Sequence, residues 1–501
     1  MSGSQQLRAL VALRWRMVRS PAARAGLLAL ASLIPLAVLL GVAGAQLAPE
    51  SARLDAAVAA PTIYLGFFVL SIVSPLTAGG GNELYPQEQL VAYPITPATH
   101  FLTGLAVLPI NLAWVSQLVV LTAATSFFLP RRPAAFLAVP TVLAYVVLAA
   151  AAGQLGSWLV AGVRQTRNGR AALWALAGGT VVTFLALVKT GGLDEVVDAT
   201  PTVEVVVAAG SGAQRDWGTW APRTLILAAL AVAALYAGRR ACDWALRRPG
   251  DAGTSREGRP VRVRRPRRSA FRELLAVDRA SVWRSASLRR GALVLGLLPG
   301  LVTFVLGVQW STLLLLPGLV ASGAALLFGV NAFCLDGGGA VWLATLPHRP
   351  SMALWSKAWV LTETALVCVL LSVGAALLRV RGAPTTAEAA ALAAAVVATV
   401  TSVVGTSLRL SVERPHRADL RGRRDTPAPP GTMAVYSARM AAQTTFTGLF
   451  VAGAAATGWW PMPVLVASVV ALLGLRSIAV AAREWREPGR RAYVAVTVGA
   501  G

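Results

Sequence analysis

Residues 79–97 read GGGNELYPQEQLVAYPITP, and residues 336–350 read DGGGAVWLATLPHRP. Each stretch carries three glycines, Gly79 to Gly81 and Gly337 to Gly339, and closes on a P-x-x-P pair, Pro94 with Pro97 and Pro347 with Pro350. The same offset, 253 residues, separates both members of the two pairs. Long apolar runs flank each stretch on both sides. A polar hairpin that recurs between hydrophobic segments marks a membrane protein built from two related halves. Transport is the first function it suggests.

Composition agrees. Of 501 residues, 56% are hydrophobic and 14% charged, against about 25% charged in a soluble globular chain, and mean hydropathy is +0.62. The net charge of +24 would point to nucleic acid if the basic residues formed a binding stripe. The arginines instead cluster in short loops beside apolar runs, where positive-inside anchors sit, so no nucleic-acid partner is expected. Cys242, Cys334 and Cys368 form no C-x-x-C pair and have no histidine at metal spacing, which leaves neither a zinc site nor a disulfide framework.

Apolar runs long enough to cross about 30 Å of hydrocarbon lie at 27–47, 58–77, 101–129, 134–163, 171–190 and 223–240. A basic linker with RPVRVRRPRR follows over 247–270, too poor in apolar residues to fold by itself. The pattern then restarts at 291–309, 311–331, 352–378, 386–408, 435–457 and 461–482. Before each set comes a basic amphipathic stretch, 5–24 and 271–290, expected to lie in the headgroup plane. The fold class is therefore an all-α integral membrane protein of about twelve transmembrane helices, with a first half over 1–246 and a second over 271–501. The first apolar run is expected to be a retained span, since no small-residue cleavage site follows it. Arginines crowd the N-terminus, 164–170, the linker, 409–424 and 483–491, and acidic residues crowd 191–222. That asymmetry puts both termini in the cytoplasm and the chain in the cytoplasmic membrane.

With these residues in place the chain resembles the permeases of type-2 ABC exporters. The resemblance rests on layout and on PITPATHFLTG and LPHRPSMALWSKAW, which are similar to the coupling segment of that family. It implies that 83–100 and 340–351 are cytoplasmic coupling hairpins between the second and third spans of each half. Tyr93 and Leu346 would supply apolar bulk, Glu88 and Arg349 polar rim contacts, and Pro94, Pro97, Pro347 and Pro350 a stiff backbone. It also implies a separate ATP-binding-cassette ATPase, in two copies to serve two hairpins. The chain has no G-x-x-x-x-G-K-[ST] motif, and its only lysines, Lys189 and Lys357, follow no glycine-rich turn. The chain is thus expected to be no enzyme and to bind no cofactor or metal, with ATP and Mg on the partner.

Glu363 sits in the middle of a predicted span, and a carboxylate at that depth should face the bundle interior or a water-filled path. Arg439 and Arg476 are the candidates to pair with it. Asn111, one residue from the equivalent position in the first half, and Gln117 complete a candidate translocation path. An interhelical hydrogen bond that holds the bundle is the plainer role for these residues. Two other classes stay open. A secondary carrier of six-plus-six build would carry a basic loop between its second and third spans, where this chain has Glu83 and Glu88. A membrane-embedded transferase could use Asp194, Glu195 and Asp198 for a divalent metal, but no second acidic motif accompanies them. Lipids, peptides, antibiotics and polysaccharides all remain possible substrates.

Overall fold

The computed structural model describes residues 5–6, 8–10, 12, 21–77, 96–106, 108, 112–129, 135–192, 195, 199–247, 269–380, 382–417, 428 and 430–499. Among them all regular structure is helical. Eight helices are long and apolar enough to cross a bilayer, the build of a multi-pass membrane protein. Packing divides the chain into two compact units, Met1–Pro260 and Val261–Gly501.

The first unit contains α1 (Pro21–Leu47), α2 (Glu50–Thr77), α3 (Pro97–Ala106), α4 (Leu112–Phe128), α5 (Ala138–Arg164), α6 (Gly169–Thr190), α7 (Thr202–Ala213) and α8 (Trp217–Leu246). The apolar run at 101–129, expected to be one span, is delivered as two helices, α3 and α4. The loop expected at 191–222 holds the twelve-residue α7. Helices α5 and α8 lie side by side, with α2 against α4, α5 and α7. Tyr64, Phe67, Leu121 and Tyr145 form the core between them. A phenol inside such a core needs a partner: Tyr64 shares a 2.9 Å hydrogen bond with Thr125, and Tyr145 donates to the Tyr64 carbonyl. Asp216 caps α8 by accepting from the Thr219 amide at 3.2 Å, and hydrogen bonds from the Thr219 side chain and then its amide hold the carboxyl below the ordinary value.

The second unit contains α9 (Ala270–Arg284), α10 (Ala286–Leu306), α11 (Leu316–Phe328), α12 (Gly339–Thr345), α13 (Pro350–Leu377), α14 (Thr386–Glu413), α15 (Pro430–Ala455), α16 (Pro461–Arg486) and α17 (Pro488–Gly499). The amphipathic stretch expected over 271–290 breaks at Ser285, whose extended backbone and hydroxyl cap start α10 at 286. Residues 286–290 therefore belong to helix α10. At the start of α14, Thr385 and Glu388 exchange hydrogen bonds in a capping box. The linker 247–270 lies almost wholly outside the described residues.

Helix α16 shows how the sequence divides its faces. Ala467, Gly474 and Ala481, seven residues apart, are buried. Leu465, Val469 and Leu472 are exposed, an apolar stripe suited to lipid and not to water. Small residues let backbones approach where no hydrophobic force operates between helices. The α14–α16 crossing uses this: a Cβ on Gly405 would run into the Gly474 carbonyl oxygen, and one on Gly474 would lie 2.8 Å from Ser402 Cα. Replacing Gly405 with Val should therefore destabilise the unit by about 1–3 kcal/mol. Gly374→Val, at an exposed position with open space around it, should be neutral. Residual monodispersity after heating in detergent compares the two; equal loss, or none, would contradict the crossing.

Candidate functional site

The second glycine–proline stretch is fully described, and its geometry begins at the end of α11. There the helix tightens into a 3-10 turn, Gly329–Asn331, and the chain then runs through turns to residue 338. Asn331, Ala332, Phe333 and Cys334 are all buried. Irregular backbone inside a bundle must find internal partners. The Ala332 amide donates to Ser411 Oγ at 2.8 Å, and Asn331 Nδ2 donates to the His416 carbonyl at 2.5 Å. Ser411 Oγ in turn lies 3.2 Å from the Gly329 carbonyl oxygen and 2.7 Å from that of Ser407. Burial raises the Cys334 thiol to about 12, which keeps it unreactive.

Asp336, immediately before the glycines, belongs to a buried charge cluster. Lys357 Nζ on α13 donates to Asp336 Oδ1 at 2.5 Å and to Asp278 Oδ1 on α9 at 2.6 Å. Ser356 donates to the other oxygen of Asp278. Lys357 is 4% and Asp278 8% exposed. Desolvating such ions costs several kcal/mol each, which only close partners offset. The cluster therefore fixes three segments against one another: α9, the hairpin root and α13. It holds two carboxylates and one ammonium. Burial pushes the Asp336 carboxyl up from its ordinary value, and the Lys357 ammonium opposes that shift.

Beyond Asp336, Gly337 turns the chain with φ of +49°, a backbone that disfavours any Cβ. Helix α12 follows, with none of its seven residues buried. Trp342 is 66% exposed, and Val341 and Leu346 are also exposed. Pro347, His348 and the exposed Arg349 close the hairpin. The Leu346 carbonyl accepts from the His348 amide at 2.8 Å. Pro350 takes the first helical position of α13, where its missing N–H costs nothing. Its carbonyl accepts from Trp485 Nε1 at 2.8 Å, and the same indole stacks on Phe333 with centroids 4.5 Å apart and planes 8° apart. One side chain of α16 thus grips both ends of the hairpin.

Of the residues singled out in the sequence, Leu346, Pro347, Arg349 and Pro350 lie together here. Glu88, Tyr93 and Pro94 lie outside the described residues, as does Asn111. Pro97 opens α3, and Gln117 is half-buried on α4. Glu363 pairs with Arg279 of α9 at 2.7 Å, not with Arg439 or Arg476. Its carboxylate helps hold α9 to α13. Asp194 and Asp198 lie outside the described residues, and among those described no cluster of His, Cys, Asp and Glu could hold a metal ion. The Asp278–Lys357–Asp336 cluster escaped the sequence reading because its members are 58 and 21 residues apart. The signal available was a lysine inside an apolar run. No family model matches this chain, and no curated protein or solved structure does.

Lys357→Met should leave two buried carboxylates without their counter-ion and cost about 3–5 kcal/mol. The triple change Asp278→Asn, Lys357→Met, Asp336→Asn should recover much of that loss. The single variant should also depend on pH. With Asp336 raised above its unfolded value near 4, the folded state holds a proton that the unfolded state has released. Stability is then greatest in acid and falls as pH rises through the raised value. Thermal unfolding of the purified variants across pH checks both; a single variant as stable as the triple one at neutral pH would contradict the cluster.

Proposed function

We propose that this chain is the membrane-spanning permease of an ATP-driven ABC exporter, moving its substrate across the cytoplasmic membrane with a separate ATPase. The observation that carries the reading is the hairpin of residues 332–350. It offers an exposed tryptophan and valine on a helix of two turns and an exposed leucine just after it, and its root is fixed by a buried ion cluster. A docking knob needs both properties: apolar bulk for a partner's cleft and a base stiff enough to pass on force. With no phosphate-binding motif in the sequence, ATP and Mg belong to the partner, present in two copies if each half carries a hairpin. The chain would itself be no enzyme and hold no metal.

The reading includes twelve spans in two six-helix halves. Helices α1, α2, α3 with α4, α5, α6 and α8 would answer α10, α11, α13, α14, α15 and α16. Neighbour relations within each unit support this. Helix α5 packs on α8 as α14 does on α16, and α2 packs on α4 and α5 as α11 does on α13 and α14. The proline positions also correspond. Cys242 Sγ on α8 donates to the Pro97 carbonyl at 3.5 Å, as Trp485 on α16 does to that of Pro350. Arginine placement supports cytoplasmic termini and hairpins. Glu88, Tyr93, Pro94 and Pro97 would form the first knob, and Asn111, Gln117 and Glu363 remain the candidate path.

One observation favours the runner-up, a secondary carrier: buried ionisable groups inside a span are what ion-coupled carriers use. ATP dependence separates the two. Reconstituted with a cognate ATP-binding-cassette ATPase, the chain should transport only when ATP is hydrolysed, and alone it should hydrolyse none. Trp342→Ala should reduce transport about tenfold or more, the scale of losing one anchoring aromatic, without altering membrane insertion. Pro347→Gly with Pro350→Gly should act in the same direction. Transport driven by an ion gradient without ATP, or full transport by both variants, would refute the proposal.

A further inference from the structure

The carboxy-terminal helix α17 was legible in the sequence only as the end of a basic tail. Helix α12 poses the problem it solves. A seven-residue helix is unstable alone, and α12 buries none of its own residues. Helix α17 packs against it. Val494 and Val498 of α17 are buried, and Ala340 and Leu343 of α12 lean on the same core. At Gly499 the backbones come so close that an added Cβ would lie 2.8 Å from Val341 Cγ2 and 3.4 Å from the Gly337 carbonyl oxygen. Arg491 fixes the angle of α17 by donating to the Trp485 and Arg486 carbonyls at 3.2 and 2.9 Å. These are the free C-terminal carbonyls of α16, and a guanidinium is well suited to them. The residues from Trp485 to Gly499 therefore touch the hairpin at its root, its exit and the flank of its helix.

We propose that α17 is a static brace that sets the orientation of α12, with Arg491, Val494, Val498 and Gly499 as its positioning residues. The proposal rests on the docking role of the hairpin for its functional meaning, but not for its geometry. The unit that meets the ATPase would then be two helices drawn from residues 339–345 and 488–499. Trp342 and Leu346 face the partner while α17 bears the load from the side.

The test uses the full chain in nanodiscs, with nitroxide labels at Trp342→Cys and Arg483→Cys and distances measured by pulsed electron resonance. The parent protein should give one narrow distribution. Val494→Asp with Val498→Asp should broaden it while the membrane helices keep their thermal midpoint, and Val494→Ile with Val498→Ile should not. Gly499→Leu serves as a second probe if the double aspartate variant fails to insert. Closing a disulfide between Val341→Cys and Gly499→Cys should restore the narrow distribution in the aspartate variant. In the presence of the ATPase the aspartate variant should lose transport about tenfold, or roughly 1.4 kcal/mol of coupling. An unchanged distribution in both the aspartate and Gly499→Leu variants would overturn the brace. If the distances change as expected but transport does not, the brace stands and the docking role falls.

Discussion

A single ammonium group carries the second unit's most demanding contact. Lys357 is buried, and burial of an unpaired charge would expel it or unfold its surroundings. It is tolerated because Asp278 and Asp336 arrive from two other segments, one from α9 and one from the turn that opens the hairpin. The constraint works in both directions. The carboxylates need the ammonium as much as it needs them, so α9, the hairpin root and α13 hold a common geometry. Arg279 and Glu363 add a second, more exposed tie between α9 and α13. Together they make the amphipathic segment before the bundle a part of it.

Around that cluster the other contacts fall into place. Ser411 of α14 accepts from the Ala332 amide and donates to the Gly329 carbonyl of the irregular segment. The indole of Trp485 closes the hairpin by stacking on its entry and bonding to its exit. At the tip of the hairpin the chain holds apolar side chains outward: Trp342, with Val341 and Leu346 beside it. A polar loop that only joined two spans would have no reason to hold a tryptophan out on a stiff base. This contrast between a braced root and an uncovered tip is the physical content of the docking proposal.

Much of this was legible in the sequence. The all-helical membrane build could be read because apolar length is a strong signal; among the described residues eight helices are long and apolar enough to cross a bilayer, and most helix ends fell within a few residues of the expected limits. The exceptions have causes. The apolar run 101–129 has continuous hydropathy but is shared between α3, ending at Ala106, and α4, beginning at Leu112; the sequence signal was Pro109, a residue without the amide a helix interior needs. Residues 286–290 were read as interfacial from their two arginines, although Ser285 supplies the cap that starts a new helix. The hairpin was visible through its glycines and prolines, and Pro350 fills the helix-start role that prolines favour. The ion cluster was not visible, because pairing is a long-range property and Asp278, Asp336 and Lys357 carry no shared motif. Glu363 was recognised as costly, but its partner lay on a helix read as lying outside the bundle. Helix α17 was hidden by the arginines at its start, which mask the Val494 and Val498 spacing behind them.

Under the docking proposal, residues 332–350 form a knob with a fixed root and a tip that meets a partner. Backbone hydrogen exchange of the full chain in nanodiscs, with and without the ATPase subunit proposed as its partner, tests it most directly. The account predicts slow exchange at residues 332–336 in both states, and slowing at 340–346 only when the ATPase is added. Fast exchange at the root, or a tip whose exchange the ATPase does not change, would contradict it.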